Sequence, residues 1–157
     1  MGFQIQGLSP QPFQTLFALS DEVLAGRHIQ RSIADKKPGF PCRVSLADAE
    51  IGEELLLLPH EHLPVASPYR SGGAIYVRRQ AQASYVSQNE VPELLHVRVL
   101  SVRAYDADGM MRMGEVCQGA SLALVIERMF ANHGVAYLHA HTASRGCFLC
   151  RIDRVVG

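Results

Sequence analysis

Residues 139–150 read HAHTASRGCFLC, and this stretch carries most of the information about the fold. Two largely apolar segments, residues 135–141 and 147–156, flank a short polar connection at residues 142–146. Apolar segments joined by a short connection that contains glycine are typical of two antiparallel strands. We therefore predict a C-terminal β-hairpin with a five-residue loop.

Strand geometry sorts the side chains of this hairpin into two faces, because neighbours alternate and paired residues share a face. A register with His141 opposite Cys147 and Leu138 opposite Cys150 separates apolar from polar residues, whereas a slip of one residue would mix them. His139, His141 and Cys147 then share the polar face, and Cys150 lies in the core. The predicted core face carries Ala136, Leu138, Ala140, Phe148, Cys150 and Ile152.

A helix is predicted at residues 121–133, where apolar residues recur at helical spacing and Asn132-His133-Gly134 suits a C-terminal cap. Leu124 widens the apolar stripe, so we expect most of this helix to be buried. Strands and helices do not alternate regularly elsewhere in the chain. This pattern favours one α+β domain over residues 1–157, with a mostly antiparallel sheet and the helix packed on it.

Composition excludes several classes of protein. The chain of 157 residues has 15 basic and 15 acidic residues, so little attraction to nucleic acid is expected. No apolar run reaches the ~18 residues of a membrane span, and the N-terminus does not resemble a secretory signal. Four cysteines in such a chain indicate reduced thiols, so a cytoplasmic location is expected.

Two H-x-H pairs raise the possibility of a metal site. His60 and His62 repeat the spacing of His139 and His141, and two histidines at this spacing on a strand can share a metal ion. The sequence favours the simpler alternative, in which these histidines form hydrogen bonds within a partly buried polar layer. No cofactor is therefore favoured, although a divalent metal remains an open alternative.

An anion site is the preferred functional interpretation. The loop SPYRSGG, residues 67–73, offers hydroxyl donors and an arginine beside flexible glycines, although it lacks the pattern of a nucleotide-binding P-loop. A small anionic metabolite could be bound there together with the histidine face of the hairpin. The candidate ligand-binding residues are Arg43, Ser67, Tyr69, Arg70, Ser71, His139 and His141.

Thiol catalysis is a weaker interpretation. Cys42 precedes an arginine, which can lower a thiol pKa, and Cys147 would lie beside His141. The catalytic candidates are therefore Cys42, Cys147, His139 and His141, although a free cysteine is usually a small buried residue. Whether the protein is an enzyme stays open.

Three motifs in order resemble one family. They are GFPCRVSL at residues 39–46, SPYRS at residues 67–71 and HAHTASRGCFLCRIDR at residues 139–154. Together they resemble the uncharacterised bacterial family called domain of unknown function 1203. The resemblance implies a small, single-domain bacterial cytoplasmic protein, and it implies no activity, cofactor or residue role.

Three hypotheses follow from the sequence. The first is a protein that binds a small anionic metabolite, with or without chemistry on it. The second is a metal-binding protein that uses His60, His62, His139 and His141. The third is an interaction module in which the polar face of the hairpin meets a partner or a second copy of the chain, so a homo-oligomer is possible.

Overall fold

The computed structural model describes residues 2–156 of the chain. Its strands are β1 (Gly2–Gln6), β2 (Gln30–Ile33), β3 (Glu54–Leu63), β4 (Ser71–Arg78), β5 (Val86–Gln88), β6 (Val99–Tyr105), β7 (Met111–Gln118), β8 (Tyr137–Thr142) and β9 (Phe148–Val155). Its α-helices are α1 (Gln11–Gln14), α2 (Asp21–Gly26), α3 (Glu93–His96) and α4 (Leu122–Phe130). Single 3-10 turns lie at Thr15–Ala18 and Gly119–Ser121.

The larger sheet has six antiparallel strands in the order β5-β1-β9-β8-β6-β7. Helix α4 packs on one face of this sheet and buries the apolar stripe predicted for it. The helix covers Leu122–Phe130 and is shorter than the predicted 121–133. Leu124, which was expected to widen the buried stripe, is 69% exposed. The stripe facing the sheet consists of Leu122, Val125, Ile126, Met129 and Phe130.

The smaller sheet has three antiparallel strands in the order β2-β3-β4. A second apolar cluster joins this sheet to the N-terminal helical segment, and includes Phe13, Leu24 and Leu56. Helix α2 begins where the sequence indicates, since the Ser20 hydroxyl accepts a hydrogen bond of 3.2 Å from the backbone N–H of Val23.

The end of β3 packs against the larger sheet on the face opposite α4. Leu63 of β3 forms a buried cluster with Tyr105 of β6 and Tyr137 of β8. As a result both faces of β8 are covered, and His139 and His141 are only 2% and 0% exposed. The histidine part of the hairpin face expected to be polar is therefore buried, whereas Arg151 on the same face is exposed.

The C-terminal hairpin is confirmed, but its register is not the predicted one. Ala140 pairs with Cys150 and Leu138 with Ile152, so the pairing is shifted by two residues. A shift of two preserves the faces, because side chains alternate with a period of two, and Cys150 lies in the core at 1% exposure as expected.

An irregularity between Ala140 and His141 then pairs His141 with Phe148, not with Cys147. Phe148 consequently contacts the histidines instead of the core, which corrects its predicted face. The connection spans residues 143–147, one position later than expected, and Gly146 adopts a positive φ of 75° that favours glycine.

The observed elements confirm an α+β fold with antiparallel sheets, a C-terminal hairpin and a helix packed near it. Within residues 2–156, no helix combines the length and the apolar character that crossing a membrane requires.

Candidate metal centre

Three histidines from the two sheets converge where β3 meets β8. His139 and His141 are two residues apart on β8, so their side chains share a face, and His62 reaches the same face from β3. Each imidazole offers one nitrogen, and these three nitrogens all lie within 4.8 Å of one another. The ring centroid of His62 is 4.9 Å from that of His141 and 5.8 Å from that of His139.

Two of these rings hold buried nitrogens that lack a hydrogen-bond partner among residues 2–156. They are Nδ1 of His139 and Nε2 of His141. Leaving a buried polar atom unpaired costs about 1–3 kcal/mol, so such atoms are uncommon without a functional reason. A ligand bound between the rings would satisfy both nitrogens.

Hydrogen bonds outside the cluster orient two of the rings. Nδ1 of His141 lies 2.9 Å from the carbonyl oxygen of Gly146. Because a carbonyl only accepts, Nδ1 carries the proton, and the buried Nε2 keeps its lone pair free. Nε2 of His62 lies 3.1 Å from the hydroxyl of Ser71. Partners of this kind fix metal-ligating histidines in other proteins.

Burial keeps all three imidazoles neutral. It lowers the pKa of His139 to about 3 and the pKa values of His62 and His141 to about 4, with further lowering from neighbouring histidines and from Arg103. A neutral imidazole has the free lone pair that a metal needs. The three side chains are therefore in the protonation state of metal ligands at neutral pH.

Aromatic rings form the surroundings of the cluster. Phe148 stacks on His62 with centroids 5.2 Å apart and an interplanar angle of 7°, and its edge meets His139 at 5.0 Å. The ring of Tyr105 also contacts His139, with centroids 5.2 Å apart. This shell limits the access of water to the imidazoles, which strengthens electrostatic interactions inside the cluster.

Arg103 brings positive charge to this site. It pairs with His139 across β6 and β8, and no carboxylate in the described part of the chain forms an ion pair with it. Its Nε lies 3.3 Å from the Ser101 hydroxyl. The sequence prediction did not include Arg103. Strand alternation places it on the same face as Ser101, but only the pairing of β6 with β8 brings it beside His139.

The fourth predicted metal ligand lies outside the cluster. His60 is on the same face of β3 by parity, but it does not belong to the group of converging nitrogens. Its half-buried ring contacts Phe148 at a centroid distance of 6.1 Å, and burial lowers its pKa. The structure thus brings together His62, His139 and His141 without His60.

Of the four candidate anion ligands at residues 67–71, only Ser71 contacts a histidine of the cluster. Ser71 contacts His62, so this loop and the hairpin are neighbours. The other predicted anion ligands of the loop have different roles: the Ser67 hydroxyl donates to the Gly109 carbonyl at 2.9 Å, and Tyr69 is 39% exposed. Arg70 binds both carboxylate oxygens of Glu61, at 3.1 and 3.0 Å.

Neither cysteine proposed for catalysis belongs to the group of converging ligand atoms. Cys42 is fully buried, and its sulfur accepts a hydrogen bond of 3.3 Å from the backbone of Arg78, as expected of a packing residue. Cys147 is half-buried in the hairpin connection. All four cysteines of the chain are free thiols.

Comparison with known proteins gives a family. The model of a family described as "Protein of unknown function (DUF1203)" matches residues 39–154. The chain belongs to this family. The matched region contains all three converging histidines and the loops around them. Comparisons with curated proteins and with solved structures found no match.

Proposed function

We propose that this member of the DUF1203 family is a metal-binding protein that holds one divalent transition-metal ion on His62, His139 and His141. The observation that carries the proposal is that two of the three histidines with converging nitrogens each hold a buried ring nitrogen without a hydrogen-bond partner among residues 2–156. Imidazole suits zinc, copper, iron and nickel, and zinc is the first candidate because it is most often four-coordinate with nitrogen ligands.

Three protein ligands imply a particular kind of centre. Structural zinc sites usually have four protein ligands, whereas sites that handle water or substrate have three and leave a fourth position free. Zinc bound in this way lowers the pKa of a bound water to about 7. The charge of Arg103 would favour a negatively charged fourth ligand such as hydroxide. We therefore infer a centre with one exchangeable ligand.

Two other sequence hypotheses have less support. The histidines on the hairpin face proposed for a partner are buried, so only part of this face, at Arg151, is exposed to a partner. The anion site expected from the loop at residues 67–73 and the hairpin histidines has less support, because the Arg70 guanidinium forms an ion pair with Glu61. The proposal keeps the bacterial and cytoplasmic setting expected from the sequence, and the four free thiols support a reducing compartment.

Zinc titration of the chelator-treated full-length chain tests the proposal. Isothermal calorimetry should show one zinc ion per wild-type chain, and His62→Ala and His139→Ala should each weaken binding about 100-fold or more, since even supporting residues contribute 10–100-fold. His60→Ala is the matched control, because His60 is a neighbouring histidine outside the group, and it should bind zinc like the wild type.

The same titration can reject the proposal. Absence of zinc binding in the wild type, or undiminished binding in both His62→Ala and His139→Ala, would show that the three histidines are only a polar layer. Circular dichroism of each variant verifies that its fold is intact. Cys147→Ser, titrated alongside, separates a thiolate site from the histidine site.

A further inference from the structure

A second feature lies where the hairpin connection meets the loop before Arg43. A pocket of about 240 Å³ opens there, between residues 36–43 and residues 142–147. Its lining includes Lys36, Arg43, Arg98, Thr142, Ser144 and Arg145. Four of these six residues are cationic, and among residues 2–156 no Asp or Glu lines the pocket.

Most of this positive charge is not neutralised within the protein. Arg98 forms two hydrogen bonds with the Asp48 carboxylate, at 2.8 and 2.6 Å, so its charge is balanced. Lys36, Arg43 and Arg145 form no ion pair with any carboxylate among residues 2–156. The pocket therefore has three cations without a counter-charge.

Arg43 is the unusual member of this set, because its side chain is buried. The residue is 3% exposed, and its Nε donates to the Phe148 carbonyl at 2.7 Å while Nη1 donates to the Pro41 carbonyl. These two bonds fix the guanidinium, and Nη2 has no hydrogen-bond partner in the described chain. A buried charge without a counter-ion is costly. Burial lowers the pKa of Arg43 to about 10, so the group stays charged at neutral pH.

We propose that this pocket binds a phosphate-type oxyanion, either free phosphate or the phosphoryl group of a small metabolite. Nη2 of Arg43 would donate from the buried wall, and Lys36 and Arg145 would approach from the two loops. The hydroxyl of Thr142 already accepts from the backbone N–H of Cys147, so its proton is available to donate to the anion. A doubly charged phosphate suits three cations better than a carboxylate does.

This site differs from the three-histidine centre, although the two share the hairpin. Thr142 directly follows His141, and the carbonyl that Arg43 binds belongs to Phe148, which contacts the histidine rings. Phosphate also binds metals, so the test is performed on metal-free protein in the presence of a chelator. Failure of the metal proposal then has no effect on this result.

The test measures the thermal denaturation midpoint against phosphate concentration, with chloride at equal ionic strength as the reference. A ligand that binds only the native state raises the midpoint in a saturable way. Arg145→Glu and Lys36→Glu, both at exposed positions, should each weaken the phosphate effect about tenfold or more. Arg27→Glu is the matched control, since this exposed arginine lies outside the pocket but its substitution changes the net charge equally.

A third variant and a second probe make the test sharper. Arg43→Lys keeps the charge but removes the planar fork of donors, so it should also weaken binding. Glycerol 3-phosphate, tested in parallel, should shift the midpoint more than phosphate if the natural ligand is a phosphate ester, and no more than phosphate if it is the free ion. Equal effects of phosphate on the wild type and on both Glu variants of the pocket, or no effect beyond that of chloride, would overturn the proposal.

Discussion

The imidazole of His139 is 2% exposed and contacts five other rings, namely His62, His141, Phe148, Tyr105 and Tyr137. In this environment a proton on the ring would face burial and two further imidazoles without a carboxylate in the group. A neutral imidazole keeps the lone pair that the proposed divalent metal ion would need. The three imidazoles are therefore neutral at pH 7.

These lowered pKa values predict that the stability of the metal-free protein depends on pH. In the unfolded chain a histidine takes up its proton near pH 6.5, whereas His62, His139 and His141 do so only near pH 3–4 when folded. The unfolded state therefore binds more protons in this interval. The contribution of these three histidines to the free energy of unfolding is fully present above about pH 6.5, and it is lost as the pH falls toward 4.

Urea denaturation at pH 7, 6 and 5 in the presence of a chelator measures this effect. His139→Gln should flatten the pH dependence of the unfolding free energy, and His133→Gln, at an exposed histidine, should leave it unchanged. The carboxyl pKa values of Glu53 and Glu54 are lowered by their arginine partners and by hydrogen bonds, so their contribution is lost only at lower pH. Parallel pH profiles for the wild type and His139→Gln would contradict the assignment.

At the level of single residues, the sequence predicted part of the site. The H-x-H spacing at residues 60–62 and 139–141 indicates which side chains can share a metal on a strand, and three of the four do converge. Choosing His62 over His60 depends on where β3 ends against β8, which is a tertiary contact. The role of the Gly146 carbonyl depends on the conformation of the hairpin connection, and no local sequence pattern specifies it.

The β8–β9 hairpin shows what an alternating pattern can and cannot define. Alternation assigns residues to faces, and a shift of two residues leaves the faces of Cys150 and His139 unchanged. It does not reveal the irregularity before His141, since one additional residue on one strand alters only the local pairing. For that reason Phe148, expected in the core, instead lies against the histidines.

The face assignment gives a stability prediction for this hairpin. Cys150→Asp should lower the free energy of unfolding by roughly 3–5 kcal/mol, because it places an unpaired charge in the core beneath α4. Val116→Asp is the control, since that side chain is 66% exposed on β7, and it should change stability by no more than about 0.5 kcal/mol. His141→Ala should destabilise less than Cys150→Asp and act mainly on metal binding.

Urea denaturation midpoints of these three variants provide the comparison. A tolerated Cys150→Asp together with an unfolded His141→Ala would mean that the two faces of the hairpin are assigned the wrong way round. The proposed site would then lose its structural basis.

At the scale of the whole molecule, the two sheets pack against each other at the three histidines. One of the three histidines comes from the three-stranded sheet and two come from the six-stranded sheet, and Arg43 adds a hydrogen bond to the Phe148 carbonyl. The sequence predicted the α+β class, the closing hairpin and the helix on the sheet, because these depend on local periodicity. It could not predict that β3 would cover the polar face of β8, since contacts between distant segments leave no periodic signal.

Zinc K-edge X-ray absorption of the wild-type chain loaded with one equivalent of zinc tests the central claim most directly, because it reports the atoms bound to the metal. Three imidazole nitrogens at about 2.0–2.1 Å, with no sulfur at about 2.3 Å, are the predicted first shell. In His60→Ala this spectrum should be unchanged, and in His139→Ala its imidazole contribution should decrease. A sulfur shell at about 2.3 Å, or zinc surrounded by water oxygens without imidazole, would contradict the proposal that His62, His139 and His141 form a metal centre.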